Sequence, residues 1–223
     1  MRLYAAFVYL FLYIPIAVIA IFSFNAGRNA SDFVGFSVKW YGKALDNPFI
    51  MDALKTSLTV ALLSALFASV FGAMAAVALQ GIRGPVRTAF DALINVAVMI
   101  PGIVIGIATL IGLVTIFEQL NPLIDAIWPF ASDAPRLQMG KASLVAAHTM
   151  FLMALCIIIV RARLAGMDRS LTEASSDLYA TPFGTFVQVT LPLIFPAILA
   201  GFLLSFTFSF DDFIIAFFVA GSE

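Results

Sequence analysis

The chain has 223 residues, 62% of them hydrophobic and 11% charged, with a formal net charge of −1 and a mean hydropathy of +1.06. Soluble globular chains carry about 25% charged residues, so a soluble domain is excluded. The near-neutral balance points to neither nucleic acid nor an acidic partner.

The single cysteine, Cys156, lies in an apolar run, so no intrachain disulfide can form. The single histidine, His148, is also in an apolar run with no other soft ligand beside it. A metal or triad role is therefore set aside in favour of a polar side chain hydrogen-bonded inside a helix bundle. Neither a metal site nor a cofactor is expected.

Residues 3–24 are apolar and long enough for about one bilayer span. Arg2 before the run allows a cleaved signal peptide as a competing reading. The run exceeds a usual signal core and no small-x-small site follows directly, which favours a retained span kinked at Pro15. Residues 25–55 are polar. Val38, Trp40 and Tyr41 fit an interfacial segment there, with a plain connecting loop as the alternative.

The second span covers residues 56–79. Ser64, Ala68, Gly72 and Ala76 recur every four residues, with Ala61, Ala65, Ser69 and Ala73 beside them. Small residues at this spacing line one helix face and admit a close neighbour, so this span is expected inside the bundle. A tight turn with Arg83 and Arg87 follows.

The third span, residues 92–117, is interrupted at Pro101-Gly102. A proline removes one backbone hydrogen bond, and broken helices at membrane depth line a cavity or pack on protein. Pro101 is accordingly a candidate for the substrate pathway, with simple helix packing as the alternative. The loop at 118–141 offers Trp128 and Phe130 as interface anchors. Residues 142–160 form the fourth span.

A polar interruption then runs from Asp168 to Pro192, between long apolar segments. Ser170 with Glu173 three residues on reads as a capping box, so a short helix is expected from Leu171. Tyr179-Ala-Thr-Pro182 reads as a break and restart, with Thr181 as N-cap and Pro182 at the first helical position. The second short helix runs toward Val189, and Leu191-Pro192 leads into the fifth span, residues 193–221.

That span contains Asp211 and Asp212 side by side. Two carboxylates in an apolar run cost several kcal/mol, on the order of 2–3 each, unless they face water, a partner or a cation. Consecutive helical positions lie about 100° apart, so both acids reach one cavity only if it is wide or the helix breaks there. A cation pathway is one reading; a helix end near an interface or a pair with a neighbouring subunit is the other.

Charge counting leaves the orientation open. Arg2, Arg83, Arg87, Arg161, Arg163 and Arg169 lie on one side; Arg28, Lys39, Lys43, Lys55, Arg136 and Lys141 lie on the other. The balance is even, so the positive-inside rule does not decide.

Glu173-Ala174-Ser175 with Leu191-Pro192 at the matching distance resembles the EAA loop of inner-membrane permease subunits of ABC importers. Relative to that family's pattern, Ser175 replaces Ala, Tyr179 replaces Gly and Val189 replaces Ile. Tyr179 is the largest departure, because glycine freely adopts the left-handed turn that ends a helix and a bulky residue does so at a cost. The resemblance implies that Glu173, Ala174, Ser175, Tyr179, Leu191 and Pro192 dock a separate ATPase subunit. It also places residues 161–192 and the N-terminus in the cytoplasm.

The segments Leu10-Phe-Leu-Tyr-Ile-Pro15, Ser23-Phe-Asn25, Trp40-Tyr41, Arg163-Leu-Ala-Gly-Met-Asp168, Ser205-Phe-Thr-Phe-Ser-Phe-Asp-Asp-Phe213 and Phe218-Val-Ala-Gly221 are similar to PotC-type permeases of spermidine/putrescine importers. The implied fold is an all-α polytopic MetI-like bundle of a type I ABC importer, a single permease domain with five recognisable spans. Members carry a sixth span beyond a position like Gly221, which this sequence does not contain. Members also often place an acid where Gly102 stands, which leaves Asp211 and Asp212 as the main candidates for a cationic cargo.

The resemblance implies a multi-pass subunit of the bacterial inner membrane that moves polyamines by alternating access. Its implied partners are an ATPase homodimer, a second homologous permease, a periplasmic polyamine-binding protein and membrane lipid, with no nucleic acid. The chain itself is expected to be non-catalytic, since no Gly-x-x-x-x-Gly-Lys-Ser/Thr run occurs in it. Another small solute, an ATP-independent secondary transporter or channel, and a scaffold without transport are the competing readings.

Overall fold

The computed structural model describes residues 2–29, 31–128, 135–168 and 170–221. Phe130 and Arg169, which entered the reading above, lie outside these. Among the described residues the regular structure is helical: α1 (Arg2–Phe22), α2 (Lys39–Leu45), α3 (Pro48–Gly81), α4 (Pro85–Met99), α5 (Gly102–Ile127), α6 (Lys141–Ala165), α7 (Ser170–Asp177), α8 (Pro182–Thr185), a π-helical turn (Phe186–Thr190), α9 (Leu191–Asp211) and α10 (Ile214–Val219). Five helical segments are long and apolar enough to cross a membrane. The chain forms two compact units, residues 1–55 and 56–223.

In the first unit, α1 continues through Pro15 and buries none of its described residues. The polar stretch after it is an ordered loop built on Asn25, which is 3% exposed. Its Oδ1 accepts the Gly27 and Val34 N–H groups, and its Nδ2 donates to the Asn29 and Asp32 carbonyls at 3.1 and 2.7 Å. Every hydrogen-bonding position of the buried amide is thereby used. Trp40 donates its indole N–H to the Asn25 and Gly27 carbonyls, each at 3.1 Å. Trp40 and Tyr41 lie on α2, a short helix in the stretch read as interfacial segment or plain loop. α3 begins at Pro48, upstream of the apolar run expected from Thr56. Asn47 explains the early start, because its Oδ1 accepts from the Phe49 N–H at 3.0 Å and Pro48 suits the first helical position.

In the second unit the small-residue face of α3 is buried: Ala61, Ser64, Ala65, Ala68 and Ala76 have no exposed surface. Close approach is the reason. A Cβ on Gly72 would sit 2.6 Å from the Cys156 Cβ and 3.2 Å from the Met153 carbonyl oxygen, so α3 and α6 are in backbone contact there. The Ser64 hydroxyl donates to the Val145 carbonyl of α6 at 3.3 Å. Gly201 of α9 meets the Cys156 Sγ from the other side, where a Cβ would lie at 3.3 Å. Gly72→Val forces an overpacked contact against backbone and costs about 1–3 kcal/mol, read as a lower melting temperature of the detergent-solubilised chain.

The expected third span, 92–117, falls on two helices. Of these, α5 alone is long and apolar enough to cross a membrane, because its apolar run continues through the expected loop to Ile127. α4 stops at Met99, Ile100 and Pro101 are extended, and α5 restarts at Gly102. The expected fifth span also divides. α9 runs through Pro196 to Asp211, Asp212 is extended at φ −74° and ψ 120°, and α10 follows. The two breaks meet. A Cβ on Gly102 would stand 3.9 Å from Ile214 Cδ1, and one on Gly106 would collide with Phe218 at 2.8 Å, so the start of α5 packs on α10. The far end of α10 is pinned to the start of α6, where the Ser143 hydroxyl lies 3.1 Å from the Val219 carbonyl.

Candidate functional site

The stretch expected as a loop over 161–192 begins inside α6 and ends inside α9, and between those two helices α7 and α8 form a short-helix hairpin. The capping box expected of Ser170 and Glu173 is not what starts α7. Ser170 already lies inside the helix, and the Asp168 carboxylate accepts the Ser170 N–H at 2.9 Å. That backbone bond holds the Asp168 carboxyl below its ordinary value. The folded value is depressed, so the cap acts in full above the ordinary carboxylate range and is lost as pH falls through the depressed value.

α7 ends in a Schellman turn. The Ala180 N–H donates to the Ser175 carbonyl at 3.1 Å and the Tyr179 N–H to the Ser176 carbonyl at 2.9 Å. Tyr179 occupies the left-handed position with φ 58°, alone among the described non-glycine residues. The turn that glycine makes in the EAA pattern is thus kept, and the bulky side chain is 96% exposed. Tyr179→Gly relieves a left-handed strain of about 1–2 kcal/mol, partly offset by the greater freedom of glycine in the unfolded chain. The net expectation is a modest gain in stability, read in the same thermal assay.

Thr181 is the N-cap of α8 as expected, with its Oγ1 accepting the Gly184 N–H at 3.1 Å and Pro182 following. Ser175, the second departure from the EAA pattern, has a local purpose. Its hydroxyl lies 2.9 Å from the Thr185 Oγ1 and ties α7 to α8. Beyond α8 the chain widens into the π-helical turn, where the Leu191 N–H reaches back to the Phe186 carbonyl. Pro192 accounts for it, because a proline has no N–H to donate four residues back and its ring crowds that carbonyl. The Arg163 Nε donates to the Leu193 carbonyl at 2.9 Å and joins the end of α6 to the start of α9.

Glu173 and Ala174 are exposed on α7, and Glu173 makes no hydrogen bond or ion pair with the described residues. It borders a cavity of about 580 Å³ that Arg83, Arg87 and Arg161 also line. Asp91 of α4 bonds Arg161 and stands 3.7 Å from Arg87. From the sequence these arginines are loop charges only, because their convergence depends on how α3, α4 and α6 meet.

The acid pair is separated by the break between α9 and α10. Asp212 turns inward. Its Oδ2 accepts the Ile215 and Ala216 N–H groups at 2.9 and 3.1 Å and faces His148 Nε2 at 3.4 Å. His148 is 3% exposed, and its Nδ1 lies 2.6 Å from the Ser209 hydroxyl. Asp211 is exposed and forms no ion pair with the described residues. The two acids therefore do different things: one caps a helix and faces a histidine, and the other is free. Pro101 is exposed at the neighbouring break. The histidine was expected in the bundle interior, but its acid partner was not foreseen.

Comparison with known proteins identifies the family. The family model described as "Binding-protein-dependent transport system inner membrane component" matches residues 68–223. The putrescine transport system permease protein PotI of Escherichia coli K12 is 36% identical over 214 residues, covering 95% of this chain and 71% of that protein. The spermidine/putrescine transport system permease protein PotC of the same strain is 35% identical, covering 96% and 74%. Among solved structures, a bacterial ABC transporter involved in import of the acidic polysaccharide alginate superposes with a TM-score of 0.68 at 14% identity, over 94% of this chain and 72% of that one. The helical hairpin after α6, the broken spans and these matches lead to one conclusion: the chain belongs to the family of binding-protein-dependent transport system inner membrane components, the permeases of ABC importers.

Proposed function

We propose that the chain is the non-catalytic permease subunit of a polyamine importer in a bacterial inner membrane. In this reading, residues 1–223 act as one permease domain and the α7–α8 hairpin faces the cytoplasm. A separate ATPase dimer docks there through Glu173, Ala174, Ser175, Tyr179, Leu191 and Pro192. Glu173 in the first turn of α7 favours the helix dipole, and among the described residues its carboxylate has no partner to give up on docking. A basic residue on the ATPase is its natural counterpart. A second homologous permease completes the pathway, and a periplasmic binding protein delivers cargo.

The observation that carries the cargo class is Asp211. An exposed carboxylate without an ion pair among the described residues, at a break in a membrane span, suits a cation in transit. Relatives named for putrescine and spermidine support the same class. Pro101, at the adjoining break, would line the same route. Closure of the ATPase dimer would move α6 and α9 together through the Arg163–Leu193 bond and alternate access to the acid.

The test is uptake of labelled putrescine and spermidine by cells without polyamine import of their own. These cells express this chain with its partner permease, ATPase and binding protein. Uptake of either amine, competed by the unlabelled amine, is the expected result. An assembled complex that accumulates neither amine would overturn the cargo class.

A further inference from the structure

We infer that His148 is a positioning residue of the substrate pathway, holding Asp212 at the start of α10 so that Asp211 alone faces outward. The inference rests on the pathway reading proposed above. Its basis is the arrangement around one carboxylate oxygen. Asp212 Oδ2 receives two backbone N–H groups of α10 and lies 3.4 Å from the imidazole Nε2. The Nε2 is buried and makes no hydrogen bond among the described residues, and its contact with Asp212 is the 3.4 Å ion-pair approach. The opposite ring nitrogen is fixed by Ser209 at 2.6 Å, so the imidazole plane is set from α9 while its free edge addresses the bend.

Three consequences follow from this geometry. A carboxylate at membrane depth is costly without a partner, and His148 is the cationisable group facing Asp212 among the described residues. The histidine comes from α6, whose far end carries the α7–α8 hairpin, so it links the bend to the element that meets the ATPase. With Asp212 pinned inward, the extended step at 212 leaves Asp211 exposed as the last residue of α9. His148 thus sets where the free acid stands without touching cargo itself.

The experiment uses the complete importer in proteoliposomes with putrescine as the probe. His148→Leu removes the imidazole, while His148→Gln keeps an N–H donor toward Asp212. The leucine variant is expected to raise the KM for putrescine about tenfold with maximal rate and assembly within about twofold, and glutamine to restore most of the loss. Unchanged KM in the leucine variant would overturn the inference. Equal loss of assembly in both variants would also overturn it, leaving His148 a residue of the fold alone.

A second readout does not depend on transport. In a Cys156→Ser background, Asp211→Cys is labelled with a charged thiol reagent, with and without His148→Leu. A labelling rate changed several-fold by the leucine supports positioning; an unchanged rate overturns it. Asp211→Asn separates the two proposals. If it leaves putrescine uptake intact, the pathway reading fails, and the labelling rate still decides the role of His148.

Discussion

Replacing Glu173 by arginine removes the ATPase from the purified complex while the chain still inserts in the membrane. The expected loss of co-purified ATPase is at least about tenfold, equivalent to about 1.4 kcal/mol or more of interface energy. The structure gives the reason. Glu173 is exposed on α7, a helix whose start is capped by Asp168 and whose end is closed by the Schellman turn at Tyr179. No described residue bonds the glutamate side chain, so its replacement leaves the hairpin standing. In the proposed docking, what changes is the sign of a charge facing the ATPase, and like charges at a docking surface are strongly unfavourable. Affinity capture of the tagged permease, with a membrane-fraction blot for insertion, reads both halves. Retained ATPase would remove Glu173 from the interface.

Asp211→Asn and Asp212→Asn are expected to fail differently, and that contrast is the second large effect. Asp211 is exposed without an ion pair among the described residues, so neutralising it costs the fold little. It is expected to lower polyamine uptake on the order of tenfold or more by removing a charge from the proposed pathway. Asp212 receives two N–H groups and faces a buried histidine, so Asp212→Asn weakens the bend and lowers thermal stability by about 1–3 kcal/mol. Uptake together with a melting curve for each variant separates them. Equal loss of stability in both variants would mean that the pair is structural throughout.

Much of the bundle was legible because membrane burial imposes simple patterns. The four-residue spacing from Ser64 to Ala76 announced a face that packs against a neighbour, and α6 lies there in backbone contact. Thr181-Pro182 announced the start of α8 because capping is local chemistry. Asn47-Pro48 carries the same kind of signal for α3, inside a stretch whose polarity points to a loop. Pro101-Gly102 marked the division between α4 and α5. The adjacent acids hinted at the division after Asp211, since an unbroken helix would direct them about 100° apart.

Other features depend on where distant segments meet. Ser175 and Thr185 are ten residues apart, and the role of Ser175 emerges only once α7 and α8 fold back on each other. His148 and Ser209 are separated by 61 positions, and no periodicity in either run predicts that the imidazole addresses Asp212. The left-handed Tyr179 runs against local preference, and the hydrogen bonds of the Schellman turn outweigh that preference.

The central claim is that a separate ATPase drives this permease through the α7–α8 hairpin. The most direct measurement is ATP hydrolysis and putrescine uptake together, in proteoliposomes holding the assembled importer and its binding protein, with and without Glu173→Arg. The account predicts hydrolysis stimulated by the loaded binding protein, uptake that requires ATP, and loss of that stimulation in the variant. Uptake that persists without the ATPase and follows an imposed ion gradient would contradict it.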